Sequence, residues 1–158
     1  MLERLKAFLD GDLAPGGLAH WGHDDVEVAA AALLVEAARV DGRIEPAERT
    51  VIAALLSRRF GLDPGDAEAL LTAGAAENER SVQLQGFAQT INAQFTEAER
   101  IELVEMLWEV VYADGVQTEY EANLLRRIGG LLYVADRDRG AARQRVLARL
   151  GRSDKGED

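Results

Sequence analysis

The feature that most restricts the fold of this chain is an internal repeat. When the sequence is shifted by 73 residues, Glu36–Gly42 aligns with Glu109–Gly115. Seven residues after the aspartate of each copy, Glu48 aligns with Glu121. In both copies an apolar helical pattern ends at an Asp-Gly pair, and a second helical pattern begins soon afterwards. Each copy therefore predicts a helical hairpin, and two such hairpins can pack with approximate twofold symmetry.

The rest of the chain also favours helices, and no alternating pattern typical of strands is visible. Pro46 and Pro64 suit the first position of a helix, and Thr96 with Glu99 forms a capping-box pattern. Hydrophobic residues make up 47% of the chain, which is enough for a folded core. We predict an all-α, compact bundle of seven to eight helices that forms one domain over residues 1–150. The two repeat units are expected to span about residues 23–60 and 96–133. Residues 151–158 are expected to form a frayed tail.

The composition argues against several classes of function. The net charge is −10, with 18 basic and 28 acidic residues, which disfavours nucleic acid because phosphate binding needs clustered cations. The chain has no cysteine, so disulfides, thiolate metal sites and cysteine nucleophiles are excluded. Neither a signal peptide nor an apolar run of membrane-spanning length is visible. We therefore expect a cytoplasmic protein without stable membrane insertion.

The acidic residues around the two turns are the candidate site. An aspartate at a helix C-terminus faces the negative end of the helix dipole, which costs a few tenths to about 1 kcal/mol. Two explanations remain open. In the first, these carboxylates only bond to nearby backbone N–H groups and cap helices. In the second, they bind a hard divalent cation such as Ca²⁺ or Mg²⁺, and the ligands are Asp41, Glu48, Asp114 and Glu121.

An EF-hand is the closest known loop pattern, and the sequence argues against it. The segment Asp41–Glu48 matches the second half of an EF-hand loop, with its aspartate, glycine and final glutamate. The first and third ligand positions would be Ala37 and Arg39 in one copy, and Val110 and Tyr112 in the other. None of these side chains is a carboxylate, so only a turn with weaker cation binding remains possible.

The repeated motif resembles the TerB-like family of tellurite-resistance-associated proteins. Two apolar helices end in Ala-x-x-Asp-Gly or Ala-Asp-Gly, with a glutamate seven residues after each aspartate, and the resemblance covers roughly residues 23–135. It implies an all-helical fold, a role in the response to tellurite and related chemical stress, and metal binding by the four acids of the turns. The second copy departs from the first, because Thr118 replaces Glu45 and Gln117 replaces Ile44. The resemblance therefore does not imply equal affinity at the two turns.

A second candidate metal site lies before the first repeat. His20 and His23, beside Asp24 and Asp25, offer a two-histidine, two-carboxylate set that suits a transition metal. Asp24 also suits the N-cap of the following helix, which leaves a structural alternative open.

The sequence predicts no catalytic site. No serine lies in a nucleophile motif, and no glycine-rich phosphate loop is present. We therefore expect a non-enzymatic module whose partners are other proteins. The alternative to cation binding is a protein-interaction module in which the acidic turns are purely structural.

The remaining predictions concern packing. The arginine-rich last helix, about residues 137–150, either docks on the acidic body of the same chain or binds an acidic partner. Glu36 is expected to be half-buried and paired with Arg39 or Arg43, and Trp108 to lie in the core or at its rim. Four glutamates at helical spacing are expected to form a solvated stripe: Glu99, Glu102, Glu105 and Glu109.

Overall fold

The computed structural model describes residues 25–39, 44–80, 84–114 and 119–151, apart from the side chains of Arg80 and Asp114. These ranges contain α-helices and no strand, and a 3₁₀ turn follows the fifth helix. The bounds are α1 Asp25–Ala38, α2 Pro46–Phe60, α3 Pro64–Arg80, α4 Leu84–Gln94, α5 Glu97–Val111, the 3₁₀ turn Tyr112–Asp114, α6 Glu119–Leu131 and α7 Asp136–Arg149. The prediction of an all-α bundle is confirmed. Residues 1–24 of the predicted domain and most of the predicted frayed tail lie outside the described residues.

Helix α1 forms the centre of the bundle. Its sequence is rich in alanine, leucine and valine, and nearly all its side chains are buried. A helix that is apolar on every side must be surrounded by other elements. Accordingly, α1 contacts α2, α3, α4, α5 and α6, with its most extensive packing against α3.

Small residues let α1 and α3 approach closely. Gly74 of α3 lies against Ala31, and a Cβ atom at Gly74 would be 2.5 Å from the Cβ of Ala31 and 2.9 Å from its carbonyl carbon. Any side chain at position 74 would therefore push the two helices apart.

The two hairpins of the repeat are in direct contact. The first consists of α1 and α2, and the second of α5 and α6. Helix α1 contacts both α5 and α6, while α2 contacts α5 and the 3₁₀ turn. Within the described ranges, no helix has the length and apolar character needed to cross a membrane.

Both ends of α2 and the start of α5 follow local signals in the sequence, whereas α1 ends at Ala38, three residues before the Asp-Gly pair predicted to stop it. Pro46 is the first residue of α2, and Gly61 ends that helix with φ of 67° and an N–H bond to the carbonyl of Ser57. A left-handed residue in this position is most often glycine, since it lacks the Cβ that would clash. At the start of α5, the Thr96 hydroxyl accepts from the Glu99 N–H at 3.2 Å, and the Glu99 carboxylate accepts from the Thr96 N–H at 2.8 Å. The predicted capping box is confirmed.

The capping box makes stability depend on pH. The hydrogen bond from the Thr96 backbone, helped by the Thr96 hydroxyl and Arg59 and opposed by burial, holds the pKa of Glu99 below its ordinary value of 4.5. A lowered pKa in the folded state stabilises the fold above the unfolded-state pKa, and this contribution is lost as the pH falls through the folded-state pKa. As the pH is lowered from about 6 to about 3, we expect the free energy of unfolding to fall less in Glu99→Gln than in the wild type. Urea unfolding at each pH measures this difference.

The matched control for this prediction is Glu97→Gln, which removes an exposed acid from the same helical turn. It removes one negative charge from this turn and leaves the capping box intact, so the difference between the two variants reports the cap alone. Equal pH dependence in Glu99→Gln and the wild type would contradict the role of the cap.

Candidate functional site

Glu48 and Glu121 occupy the same place in the two repeats. Each is the third residue of its helix, α2 or α6, and they are only 4% and 7% exposed. Glu48 Oε1 accepts a hydrogen bond of 3.2 Å from the backbone N–H of Glu45. The predicted capping role is therefore confirmed for Glu48. A carboxylate can accept about four bonds, so this cap bond does not by itself exclude cation binding.

The side chains of the two aspartates of the candidate site are not among the described atoms. Asp41 lies outside the described residues, and Asp114 is described only by its backbone, as the last residue of the 3₁₀ turn. This turn packs against α2, the helix that carries Glu48. The backbone of the second turn and the helix that follows the first turn are therefore neighbours.

Aromatic packing anchors the start of the 3₁₀ turn. Tyr112 is 1% exposed and stacks on Trp108, with ring centroids 5.8 Å apart. The guanidinium of Arg143 on α7 lies over both rings, at 5.6 Å from the Trp108 centroid and 5.8 Å from that of Tyr112. Trp108 is 4% exposed, so the predicted core position of this tryptophan is confirmed.

In the part of the chain that the structure describes, no three acidic or histidine side chains converge. A metal site at the turns therefore depends on Asp41 and on the carboxylate of Asp114, and the four-ligand arrangement stays a prediction. His20, His23 and Asp24 also lie outside the described residues. Ala37 and Val110, which occupy the first ligand position of an EF-hand loop, are buried apolar residues of α1 and α5.

A charged groove of about 370 Å³ lies between α2, α5 and α7. Arg149 donates to Glu105 at 2.9 Å and to Glu109 at 3.1 Å, and Arg145 also donates to Glu105. Burial opposes the charge of Arg149, but the hydrogen bonds that it donates to Glu109 and Glu105 outweigh this effect and raise the pKa of the guanidinium. The prediction that the last helix docks within the chain is confirmed.

These contacts correct the prediction of a solvated glutamate stripe. The side chains of Glu105 and Glu109 are only 20% and 16% exposed, because arginines of α7 cover them. Arg58 on α2 also reaches Glu109, at 3.3 Å. The sequence did hold a signal for this pairing, since both the two glutamates and Arg145 with Arg149 are spaced four residues apart on their helices.

Arg59 joins α2 to α5. Its guanidinium lies 5.3 Å from the ring centroid of Phe60 and 5.1 Å from that of Phe95. The same group pairs with Glu102 at 3.1 Å and with Glu99 at 3.4 Å. The acids of the groove therefore already have arginine partners, which makes this groove a poor cation site.

Glu36 is half-buried, as predicted, and its Oε1 accepts a hydrogen bond from Asn78 Nδ2 at 3.0 Å. Among the described residues this amide, and not Arg39, is its partner, while the alternative partner Arg43 lies outside the described residues. Asn78 is 5% exposed and also donates to the carbonyl of Ala32 at 3.3 Å. The sequence held no signal for this contact between α1 and α3.

Comparison with protein families agrees with the motif. The family model described as tellurite resistance protein TerB matches residues 27–144, which include both turns and reach from α1 into α7. Comparison with the curated proteins and with the solved structures gave no match. The family match covers well over half of the chain and confirms the resemblance inferred from the repeated Asp-Gly motif. The chain therefore belongs to the TerB family.

Proposed function

We propose that this chain is a non-catalytic module of the cytoplasm that acts in the response to tellurite and related chemical stress. In this proposal the two turns bind a divalent cation weakly, Ca²⁺ or Mg²⁺, through Asp41, Glu48, Asp114 and Glu121. The observation that carries the proposal is the burial of Glu48 and Glu121 at matching positions, each in the first turn of the helix that follows an Asp-Gly pair.

The energetic argument concerns these two buried carboxylates. Burying a charged group is costly unless hydrogen bonds or an opposite charge compensate it. The positive end of a helix dipole offsets about 0.3–1 kcal/mol, and a hydrogen bond to a charged group about 1.5–3 kcal/mol. A cation bound beside each glutamate would add an opposite charge to the contacts that the carboxylate already has.

The proposal predicts that cations raise the melting temperature. A ligand at tenfold excess over its dissociation constant stabilises the native state by about 1.4 kcal/mol. For a chain of this size, this corresponds to a rise of roughly 3–6 °C. We expect millimolar Ca²⁺, Mg²⁺ or Mn²⁺ to raise the melting temperature above that at matched ionic strength. The double variant Asp41→Asn plus Asp114→Asn should lose this difference.

A charge-matched control shows whether the rise in melting temperature comes from binding at the turns or from general screening of the acidic surface by cations. Glu79→Gln plus Glu97→Gln removes two exposed acids that lie outside the turns, and should keep the full response to cations. Melting curves of the wild type that do not respond to any of the three ions would leave the interaction module as the better proposal.

The interaction module is the second candidate, and the cap bond of Glu48 favours it. The 3.2 Å bond from the Glu45 N–H gives that carboxylate a structural role without any ion. In this alternative the turns only cap helices, and the partner proteins bind elsewhere on the surface.

A further inference from the structure

Helix α7 has the fewest buried residues of the described helices. Of its 14 residues only three are buried, Ala142, Val146 and Leu147, whereas 12 of the 14 residues of α1 are buried. It packs mainly on α5, with a smaller contact to α6. Local opening of a folded protein needs less free energy where few apolar side chains are buried. Helix α7 should therefore separate from the other helices more readily than α1 does.

Charge adds to the small apolar contact of α7. Arg145 and Arg149 pair with acids of α5, and their side chains stay 49% and 46% exposed. The helix has five arginines and two aspartates, a net charge of +3 in a chain of −10, so all other residues together carry −13. Dissolved salt weakens the attraction between exposed charges, since the screening length falls from about 30 Å at 0.01 M to about 3 Å at 1 M. Ionic strength should therefore control how firmly α7 is held.

Arg143 connects α7 to the turn of the second repeat. Its guanidinium lies over the rings of Trp108 and Tyr112. Tyr112 is the first residue of the 3₁₀ turn, and its N–H bonds to the carbonyl of Trp108. When α7 separates, both rings lose the cation over their faces, and the start of the turn loses this support. The matching positions of the first repeat are Val35 and Arg39, so the aromatic pair belongs to the second repeat alone.

We propose that α7 is a strap that opens from α5 as a unit, at a lower free energy than global unfolding, and that salt favours the open form. Opening uncovers Glu105 and Glu109 and loosens the second turn at Tyr112. The strap thus gives the two repeated turns different behaviour, because α7 holds only the second. This proposal does not depend on cation binding at the turns.

The test is amide hydrogen exchange of the whole chain, followed by NMR. At low salt we expect the amides of residues 140–149 in α7 to exchange faster than those of α1. Raising NaCl from about 20 mM to about 500 mM should speed exchange in α7 by about three to ten times, and that of the Tyr112 amide by the same factor. Exchange in α1 should not become faster, because salt also screens the repulsion among the acids of the remaining chain.

A variant on α5 tests the pairing without changing α7 itself. Glu105→Gln weakens the bonds to both Arg145 and Arg149, so at low salt it should speed exchange in α7 and at Tyr112 by about three to ten times. Its matched control is Glu102→Gln on the same helix. Glu102 pairs with Arg59 of α2, at 3.1 Å, so its replacement should leave exchange in α7 unchanged.

Three results would overturn the proposal. The first is exchange in α7 as slow as in α1, because α7 would then open only on global unfolding. The second is exchange in α7 that does not respond to salt or that responds equally to the two glutamine variants, because the pairs with Glu105 would then not hold the strap. The third is faster exchange in α7 with no change at Tyr112, because the strap would then not act on the turn.

Discussion

Trp108→Ala is expected to lower the free energy of unfolding by about 3–5 kcal/mol. The side chain is 4% exposed, it stacks on Tyr112 at 5.8 Å, and Arg143 lies over both rings. Alanine would remove the buried ring and leave a cavity where α5, α7 and the 3₁₀ turn meet. For a chain of this size the melting temperature should fall by roughly 6–20 °C. Urea unfolding and calorimetry would measure both quantities.

Trp108→Phe tests the reason for this loss. The indole Nε1 is buried and has no hydrogen-bond partner among the described residues, so replacing it removes no hydrogen bond there. Phenylalanine keeps an aromatic ring for stacking and leaves a smaller cavity. We expect a loss of no more than about 2 kcal/mol. Equal losses for phenylalanine and alanine would show that ring packing is not what Trp108 contributes.

Gly74→Ala is expected to destabilise the protein by about 1–3 kcal/mol or more. The new methyl group would lie 2.5 Å from the Ala31 Cβ and 2.9 Å from backbone atoms of α1, which cannot move without shifting the central helix. Helix propensity alone predicts the opposite sign, since alanine in a helix is favoured over glycine by about 1 kcal/mol. Urea unfolding measures the change in the free energy of unfolding. A decrease would show that the clash between helices dominates, and an increase would show that helix propensity dominates.

Gly140→Ala is the matched control for this substitution. Gly140 lies inside α7, and a Cβ atom there would meet nothing within 4 Å. Helix propensity should be the only effect at this position, so we expect the free energy of unfolding to rise by about 0.5–1 kcal/mol. If both alanine variants stabilised the protein, α1 and α3 could not be packed as closely as the structure has them.

Local signals made the helices predictable. The proline at the start of α2, the glycine at its end and the capping box of α5 each involve atoms within about four residues along the chain. Such interactions hardly depend on the rest of the fold, and the sequence contains them in full. The resemblance to the TerB family was inferred from the same kind of signal, because the Asp-Gly pair and the following glutamate lie close together along the chain.

Contacts between helices were harder to predict. Arg145 and Glu105 are 40 residues apart, and Asn78 and Glu36 are 42 residues apart. Their pairing depends on the angle and distance at which the helices cross, which many side chains decide together. For this reason the helical spacing predicted solvated glutamates on α5, whereas α7 covers two of them.

The sequence by itself therefore determined the all-helical class, both ends of α2, the start of α5 and the identity of the four acidic candidates, since each depends on residue type and short spacing. Only the tertiary structure decided that Glu48 and Glu121 are both buried, that Gly74 must lack a side chain, and that α7 covers Glu105 and Glu109. These properties arise at the contacts between helices. The packing free energy at such a contact depends on distances between atoms that are far apart along the chain.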